Sequence, residues 1–464
     1  MNCSFRRYIG TASFYRRALS IALPVMAQLL IMNLVSLIDN FMVAGLGDIK
    51  MSGVNIAGQI NFVFMIFVNS ICIAGGIFMS QFKGAQDSEG MRQTFKFKII
   101  STGFFGILYA LFCYAAPRFV FNLMVTVNAD AGAILDQAQD YSRAVALSWV
   151  FMVFAQSIAS SLREIEDVRP PLVFSTAAAF VNTFFNWVFI YGNLGAPRLE
   201  VVGAGIATCI ARAVELLLFV IYLFVKRPPF VCSVVSVFKV RLNLFASIFR
   251  KTLVILYSEV FWAFSETFSV ALYNTRGGAE VVSGMAAGFA IANLFFVCFS
   301  GIITSTGVII GQELGANRLE ESRRYKNWII TGSVVFGFMF TLLGFASILL
   351  IPFVFKNLTL EAQKIACYLV IIAACYLPLW ALINSQYSVS RTGGDTKMGA
   401  VCDTVGNLLF VGGMVVLTFF TSLTPYVMYA IVKLSDIPKA AIAHFWLKKE
   451  RWLINLADRN RQSN

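Results

Sequence analysis

The chain is a succession of apolar runs, each long enough to cross a lipid bilayer as a helix. A crossing helix needs about 20 predominantly apolar residues. Runs bounded by charged or turn residues predict twelve spans, near 18–44, 51–81, 97–117, 141–162, 170–191, 201–225, 252–275, 281–311, 328–353, 365–390, 398–418 and 422–446. Only 13% of the 464 residues are charged, against about 25% in soluble domains. The sequence therefore predicts an all-α polytopic membrane protein and excludes a soluble multidomain enzyme.

Residues that commonly serve in metal binding and catalysis are scarce. The nine cysteines are scattered without a CxxC pair, and His444 is the one histidine. This pattern argues against a zinc site, a disulfide framework and histidine-based catalysis. The sequence also lacks a Walker phosphate loop, so we do not expect direct use of ATP. We predict a protein that is not an enzyme and has no cofactor.

The basic residues indicate the orientation of the chain. If the N-terminus is inside, the inner segments hold 29 of the 37 Lys and Arg residues, among them Arg6, Arg7 and all those from Lys433 onward. Arg212 is the one basic residue that we place within a span. Because cytoplasmic loops are enriched in Lys and Arg, we expect both termini in the cytoplasm and the chain in a cell (inner) membrane. The formal charge of +13 then reflects topology and attraction to anionic lipid rather than a nucleic-acid partner.

The sequence repeats itself at an offset of about 230 residues. Gln81 and Gly84 recur as Gln312 and Gly315, Ser52-Gly53 recurs as Ser283-Gly284, and Arg163 and Asp167 recur as Arg391 and Asp395. We predict two pseudo-symmetric six-helix bundles, 1–225 and 252–446, with a cytoplasmic linker, 226–251, and a cytoplasmic tail, 447–464. Each bundle has an even number of spans, so both enter the membrane from the same side. We expect a cavity between them near the midplane.

Several segments resemble one transporter family. These are Leu34–Gly47, Asn182–Gly192, Glu259-Val-Phe-Trp262, Arg391-Thr-Gly-Gly-Asp395-Thr-Lys397 and the tail segment 449–455. In the order and spacing of these segments, nearly the whole chain is similar to the multidrug and toxic compound extrusion (MATE) family. The resemblance implies a cation-coupled antiporter with a MATE-like arrangement of twelve helices. The chain departs from several members at Asn186, where they carry an aspartate.

Glu259, Trp262 and Glu266 share one face of the predicted seventh helix. The two glutamates are close to two turns apart, about 10 Å along the axis. A carboxylate supplies a counter-charge for a lipophilic cation, and an indole ring supplies a cation–π surface. We predict that these residues bind substrate and that a proton competes with the cation there. The alternative is that Glu259 faces a water-filled crevice and Trp262 only packs against a neighbour.

Asp39, Asn182 and Asn186 form the second candidate set. Asp39 lies late in the first helix, and the two asparagines share a face of the fifth helix at i and i+4. One carboxylate with two amide oxygens can hold either a proton network or a hard cation such as Na⁺. We predict that this set couples transport to H⁺ or Na⁺, the alternative being an ordinary interhelical hydrogen-bond cluster.

Other charged residues are predicted to be structural or gating. Arg212 and Glu215 stand at i and i+3 and can neutralise each other. Arg163 with Asp167, and Arg391 with Asp395, recur at the inner ends of both halves, where we expect a symmetric clasp.

Three functions remain open. The first is a monomeric exporter that exchanges small organic cations for H⁺ or Na⁺ by alternating access. The second is a flippase for a lipid-linked precursor, which would need a basic central cavity for a pyrophosphate. The third is a channel or receptor-like scaffold, with which the long glycine-containing apolar helices 51–81 and 281–311 are compatible. Our assignment of five acidic residues and only Arg212 to the spans favours the exporter.

Overall fold

The computed structural model describes residues 8–115, 117–125, 130–233 and 236–458. Arg6, Arg7 and the last six residues of the predicted tail lie outside these ranges. Over the described residues the fold is helical and contains no strand, and the predicted all-α class is confirmed. The α-helices are α1 (Ala12–Ala44), α2 (Asp48–Gly84), α3 (Ser88–Ala115), α4 (Pro117–Val125), α5 (Ala131–Glu164), α6 (Arg169–Tyr191), α7 (Glu200–Lys226), α8 (Leu242–Asn274), α9 (Ala279–Gly315), α10 (Leu319–Ser347), α11 (Ile351–Val354), α12 (Leu360–Thr392), α13 (Lys397–Phe420), α14 (Pro425–Val432) and α15 (Asp436–Lys448).

Ten segments within the described residues are long and apolar enough to cross a membrane. They are α1, α2, α3, α5, α6, α7, α9, α10 continued through α11, α12 and α13. The predicted span 252–275 falls in α8 except for its last residue, and Glu259 and Glu266 interrupt the apolar sequence of this helix. The predicted span 422–446 is divided into α14 and α15 by a 3₁₀ turn over Lys433–Ser435.

The helix boundaries follow the sequence repeat. Both ends of α2 and α9 are offset by 231 residues, and each helix has 37 residues. Likewise α1 and α8 both have 33 residues and are offset by 230. The sequence repeat is therefore accompanied by a repeat of helix length in these two helix pairs.

The repeated Ser-Gly pair marks a close helix contact in each half. A Cβ on Gly53 would lie 2.8 Å from Gln137 Cβ of α5, and one on Gly284 would lie 2.6 Å from the carbonyl oxygen of Ala362 at the start of α12. Small residues of this kind let the backbones of membrane helices approach closely. The two glycines thus serve equivalent helix pairs, α2 with α5 and α9 with α12.

The chain divides into two compact units. We call Ala27–Lys83 with Asp87–Thr252 the N-terminal unit, and Met1–Met26, Gly84–Gln86 and Leu253–Asn464 the C-terminal unit. The first 15 residues of α1 therefore belong to the C-terminal unit and the rest to the N-terminal unit. An apolar cluster in the C-terminal unit joins Leu272, Leu369, Phe410 and Met414 from three long helices.

Candidate functional site

A cavity of about 660 Å³ opens within the N-terminal unit. It is lined by Ser36, Asp39, Asn40 and Val43 of α1, Val54, Asn55, Gly58, Gln59 and Phe62 of α2, Tyr141 of α5, Asn186 of α6, and Ala204 and Thr208 of α7. These side chains include one carboxylate, three amides of asparagine, one of glutamine and no basic group. The cavity can therefore receive a cation or a proton at a single acidic residue.

Asp39 is held in this cavity by α6. Asn186 Nδ2 donates to Asp39 Oδ1 at 2.8 Å, and it also lies 3.3 Å from Asn182 Oδ1. Within the described residues Asp39 forms no ion pair. A carboxylate in a membrane helix is costly unless it faces a cavity or a partner. Asp39 has polar contacts and an open cavity, and Arg212 acts on it electrostatically without forming an ion pair.

The two asparagines supply oxygen atoms beside this carboxylate. Asn186 Oδ1 is buried and has no hydrogen-bond partner among the described residues. Rotating the Asn182 amide by half a turn places its nitrogen 2.7 Å from Asp39 Oδ2. We favour the rotated amide when Asp39 is charged. In the unrotated orientation the Asn182 side-chain oxygen faces the Asp39 carboxylate, and two such hydrogen-bond acceptors repel each other. The unrotated amide is favoured when a proton or a cation lies between the Asn182 side-chain oxygen and the Asp39 carboxylate.

The structure therefore brings Asp39, Asn182 and Asn186 together as predicted, although their role stays a prediction. Sequence reasoning missed Thr208, whose hydroxyl lies 3.3 Å from Asn182 Nδ2, and Tyr141 on the cavity wall. The sequence does not distinguish these hydroxyl groups from the many others in apolar runs.

Arg212 and Glu215 form the predicted pair, with Arg212 Nη1 donating to Glu215 Oε2 at 2.7 Å. The pair continues into a buried chain of hydrogen bonds. Ser175 donates to Glu215 at 2.7 Å, and Gln28 donates to Ser175 at 2.8 Å. Both carboxylate oxygens of Glu215 therefore accept hydrogen bonds, and this network connects α1, α6 and α7.

The predicted clasp residues contact other partners. Arg163 Nη1 reaches Gln28 Oε1 at 3.4 Å, and Arg391 forms an ion pair with Glu259 at 3.1 Å. Asp167 accepts a hydrogen bond from the Tyr222 hydroxyl, and Asp395 accepts one from Trp446 Nε1 at 2.8 Å. In both halves the aspartate is therefore bonded to an aromatic side chain of the half's last helix. A gating role for these four residues stays a prediction.

The predicted substrate face on α8 carries basic partners. Glu259 binds Arg391, and Lys433 Nζ donates to Glu266 Oε1 at 2.6 Å. Trp262 lies on the same helix and is 44% exposed. A substrate cation at either glutamate must therefore compete with a basic group of the protein, and the substrate role of the three residues stays a prediction.

The assignment of Arg212 as the one basic residue within the spans is wrong. Lys98 of α3 is fully buried and donates to Ser160 at 2.8 Å. Lys433 and Lys439, which we counted as cytoplasmic, are each only 8% exposed. The signal was present in the sequence, because both lysines fall inside the predicted span 422–446.

Comparisons with known proteins agree with this architecture. The MatE family model matches residues 24–188 and 254–416. "Multidrug resistance protein NorM" of Vibrio vulnificus strain YJ016 is 23% identical over 317 residues, and that of Vibrio cholerae is 24% identical over 309. The first alignment spans 66% of this chain and 66% of the relative, and the second spans 64% of each.

The fold is also similar to solved structures. A MATE protein in complex with MaD3S superposes with a TM-score of 0.83 at 19% identity, covering 97% of this chain and 98% of that one. A MOP superfamily transporter from Pyrococcus furiosus, described as having a binding pocket of reverse polarity, gives 0.82 at 20% identity, with coverage of 97% and 98%. These superpositions confirm the predicted MATE-like helical fold.

Proposed function

The chain belongs to the MATE family of membrane transporters, and from that membership we propose that it is a secondary active antiporter that exports organic cations in exchange for H⁺ or Na⁺. The observation that carries the proposal is Asp39, an acidic residue without an ion pair among the described residues, at a cavity with amide oxygens beside it. Because the multi-pass chain has an acidic group open to a polar cavity, a cation can be bound and released there.

The coupling ion is proposed to bind at Asp39, Asn182 and Asn186. With H⁺, the protonated carboxyl donates to the Asn182 oxygen. With Na⁺, the carboxylate and the two amide oxygens supply the hard ligands that such a cation prefers. In either case the Asn182 amide changes its orientation between the empty and the loaded site, and the unpartnered Asn186 oxygen gains a contact only when Na⁺ binds. An inward-moving charge releases about 2.3 kcal/mol per 100 mV of membrane potential.

We propose that substrates are small lipophilic cations that reach the face of α8 carrying Glu259, Trp262 and Glu266. Arg391 and Lys433 neutralise the two glutamates. A substrate cation gains its counter-charge only by displacing one of them. This competition makes binding readily reversible, as an exporter requires.

The flippase alternative is less well supported. It needs basic groups in a cavity to hold a pyrophosphate, and the cavity at Asp39 contains none. The buried lysines of the C-terminal unit are each paired with a carboxylate. Neither Lys433 nor Lys439 therefore offers an unpaired positive charge to the pyrophosphate of such a lipid.

We further propose that the protein works as a monomer in a cell (inner) membrane, with both termini in the cytoplasm and with the bundle boundaries 1–225 and 252–446. This orientation rests on the loop charges, because the inner set keeps a large excess of Lys and Arg after the buried Lys96, Lys98, Lys433 and Lys439 are removed from it.

The test is uptake of a fluorescent lipophilic cation into proteoliposomes under a separately imposed pH or Na⁺ gradient. We expect transport with one gradient and its loss in Asp39→Asn. Asp136→Asn is the matched control, because this carboxylate is 57% exposed and pairs with Arg118 on the surface. Transport that survives in Asp39→Asn contradicts the coupling role, and an inactive wild type under both gradients contradicts the antiporter.

A further inference from the structure

An ammonium group of the protein itself occupies an aromatic cage in the C-terminal unit. Lys433 Nζ lies 4.4 Å from the ring centre of Phe410, 5.3 Å from that of Tyr429 and 5.7 Å from that of Trp380. The fourth wall is Glu266, whose Oε1 accepts its hydrogen bond. These four residues, Phe410, Tyr429, Trp380 and Glu266, are called the ammonium cage below.

The cage has the composition of a receptor for organic cations. Aromatic faces attract a cation through their quadrupoles, and the attraction is strongest where water is excluded. Lys433 is 8% exposed, so its charge is almost completely desolvated. Glu266 keeps 31% of its side chain exposed, so the cage has an open side at the carboxylate.

Neighbouring residues fix the rest of the cage. Trp380 Nε1 donates to Asp436 Oδ2 at 2.7 Å, which holds the indole in place. Asp436 also pairs with Lys439 at 3.2 Å, and Lys439 donates to Asn407 at 3.0 Å. Because Lys439 neutralises Asp436, the loss of Lys433 would leave one uncompensated negative charge, on Glu266.

We propose that Lys433 is a tethered cation that fills an ammonium-binding site of this unit and competes with free primary ammonium compounds for it. The lysine ammonium group acts as an intramolecular ligand with a high effective concentration, because it is covalently attached and cannot diffuse away. Lys433 therefore lowers the affinity of the cage for external cations and restricts it to those that displace an alkylammonium.

Occupancy of the cage by Lys433 is independent of the coupling ion and of transport. Only the consequence for substrates rests on the proposed function, in which Glu266 contributes to the substrate face. The two can therefore be tested separately, one by binding to the purified protein and the other by transport.

The binding test is chemical rescue of Lys433→Ala. The substitution removes a propylammonium group, so n-propylammonium chloride is the matched probe, with n-propanol and NaCl as controls for its apolar chain and for salt. We expect a lower unfolding temperature in Lys433→Ala and a saturable recovery with n-propylammonium alone. Wild type and Lys433→Ala/Glu266→Gln should show no ammonium-specific recovery. Equal shifts in wild type, or recovery in the double variant, would overturn the inference.

A second variant covers the case in which Lys433→Ala does not fold. Lys433→Met keeps an apolar stem against Phe410 while it removes the charge. We expect it to bind a fluorescent lipophilic cation at least tenfold more tightly than wild type, equivalent to about 1.4 kcal/mol. Unchanged affinity refutes the competition. If ammonium binding fails while gradient-driven transport persists, only this inference is lost, and the reverse outcome removes only the transport proposal.

Discussion

The contact between α9 and α12 allows a quantitative test of the structure through Gly284→Ala. The added Cβ would lie 2.6 Å from the Ala362 carbonyl oxygen and 2.9 Å from Ile365 Cβ. The first of these atoms belongs to the backbone and cannot rotate away, so the two helices must separate. Overpacking of this kind costs about 1–3 kcal/mol.

Helix propensity acts in the opposite direction. Alanine is better than glycine in a helix interior by about 1 kcal/mol. Gly412→Ala in α13 isolates this term, because nothing lies within 4 Å of a Cβ at that position. Gly288→Ala is intermediate, since its nearest contact, at 2.7 Å, is a methyl group of the Leu369 side chain. We therefore expect Gly412→Ala to be neutral or stabilising, and Gly284→Ala to be less stable than Gly412→Ala by about 1–3 kcal/mol.

The assay is reversible unfolding in detergent, followed by tryptophan fluorescence as the mole fraction of a denaturing detergent is raised. The expected order of stability is Gly412→Ala, then Gly288→Ala, then Gly284→Ala. Equal stabilities for Gly284→Ala and Gly412→Ala would refute the close approach of α9 to α12. Gly53→Ala should reproduce the effect of Gly284→Ala in the N-terminal unit, because its Cβ would lie 2.9 Å from the backbone nitrogen of Ala138.

Three further predictions concern other contacts. Glu215→Leu should destabilise the N-terminal unit more than Arg212→Leu/Glu215→Leu in the same unfolding assay, because the single change leaves the guanidinium of Arg212 unpaired. The side chain of Arg212 is 29% exposed, so we expect a difference below the value of about 3–5 kcal/mol for a fully buried charge; a double variant that is no more stable would contradict the pairing. Trp452→Ala should lower stability by about 3–5 kcal/mol, since the side chain is 1% exposed, and a surface-like loss below about 0.5 kcal/mol would show that the tail is not docked. Two hydrogen bonds from Arg323, at 2.7 and 2.9 Å, lower the pKa of Glu450, so its stabilising contribution is complete above the ordinary glutamate pKa and is lost as the pH falls through the lower folded value. The difference in unfolding temperature between wild type and Glu450→Gln should accordingly stay constant from pH 7 to about 4.5 and shrink below it; a difference that shrinks already at pH 6 would exclude this ion pair as its source.

The candidate coupling site could be predicted in part from the sequence. The i, i+4 spacing placed Asn182 and Asn186 on one face of a helix, and a carboxylate within an apolar run requires a cavity or a partner. The pairing of Asp39 with Asn186 spans 147 residues, and no local pattern specifies that contact. We grouped these residues by the chemistry of one carboxylate with two amide oxygens, and the structure places the atoms of Asp39 and Asn186 within hydrogen-bond distance.

The acidic face of α8 illustrates the limit of such reasoning. Helical periodicity correctly aligned Glu259 and Glu266, and the chemistry of a free carboxylate suggested a cation site. Their actual partners, Arg391 and Lys433, lie 132 and 167 residues further along the chain. Because charge pairing depends on which helices meet, sequence separation conceals whether a carboxylate is free or neutralised.

The sequence by itself determined the membrane environment, the helical class and the repeat. These properties are sums over local stretches: about 20 apolar residues suffice for a span, and the equal runs 51–81 and 281–311 lie in helices of equal length. Only the tertiary structure decided which charged side chains of the interior are paired, because the 3₁₀ turn at Lys433–Ser435 brings Lys433 against Glu266 and three aromatic rings. A lysine that looked like a loop charge is thereby desolvated and bound. The physical reason is that the hydropathy of a segment is a sum over consecutive residues, whereas an ion pair depends on the distance in space between two side chains.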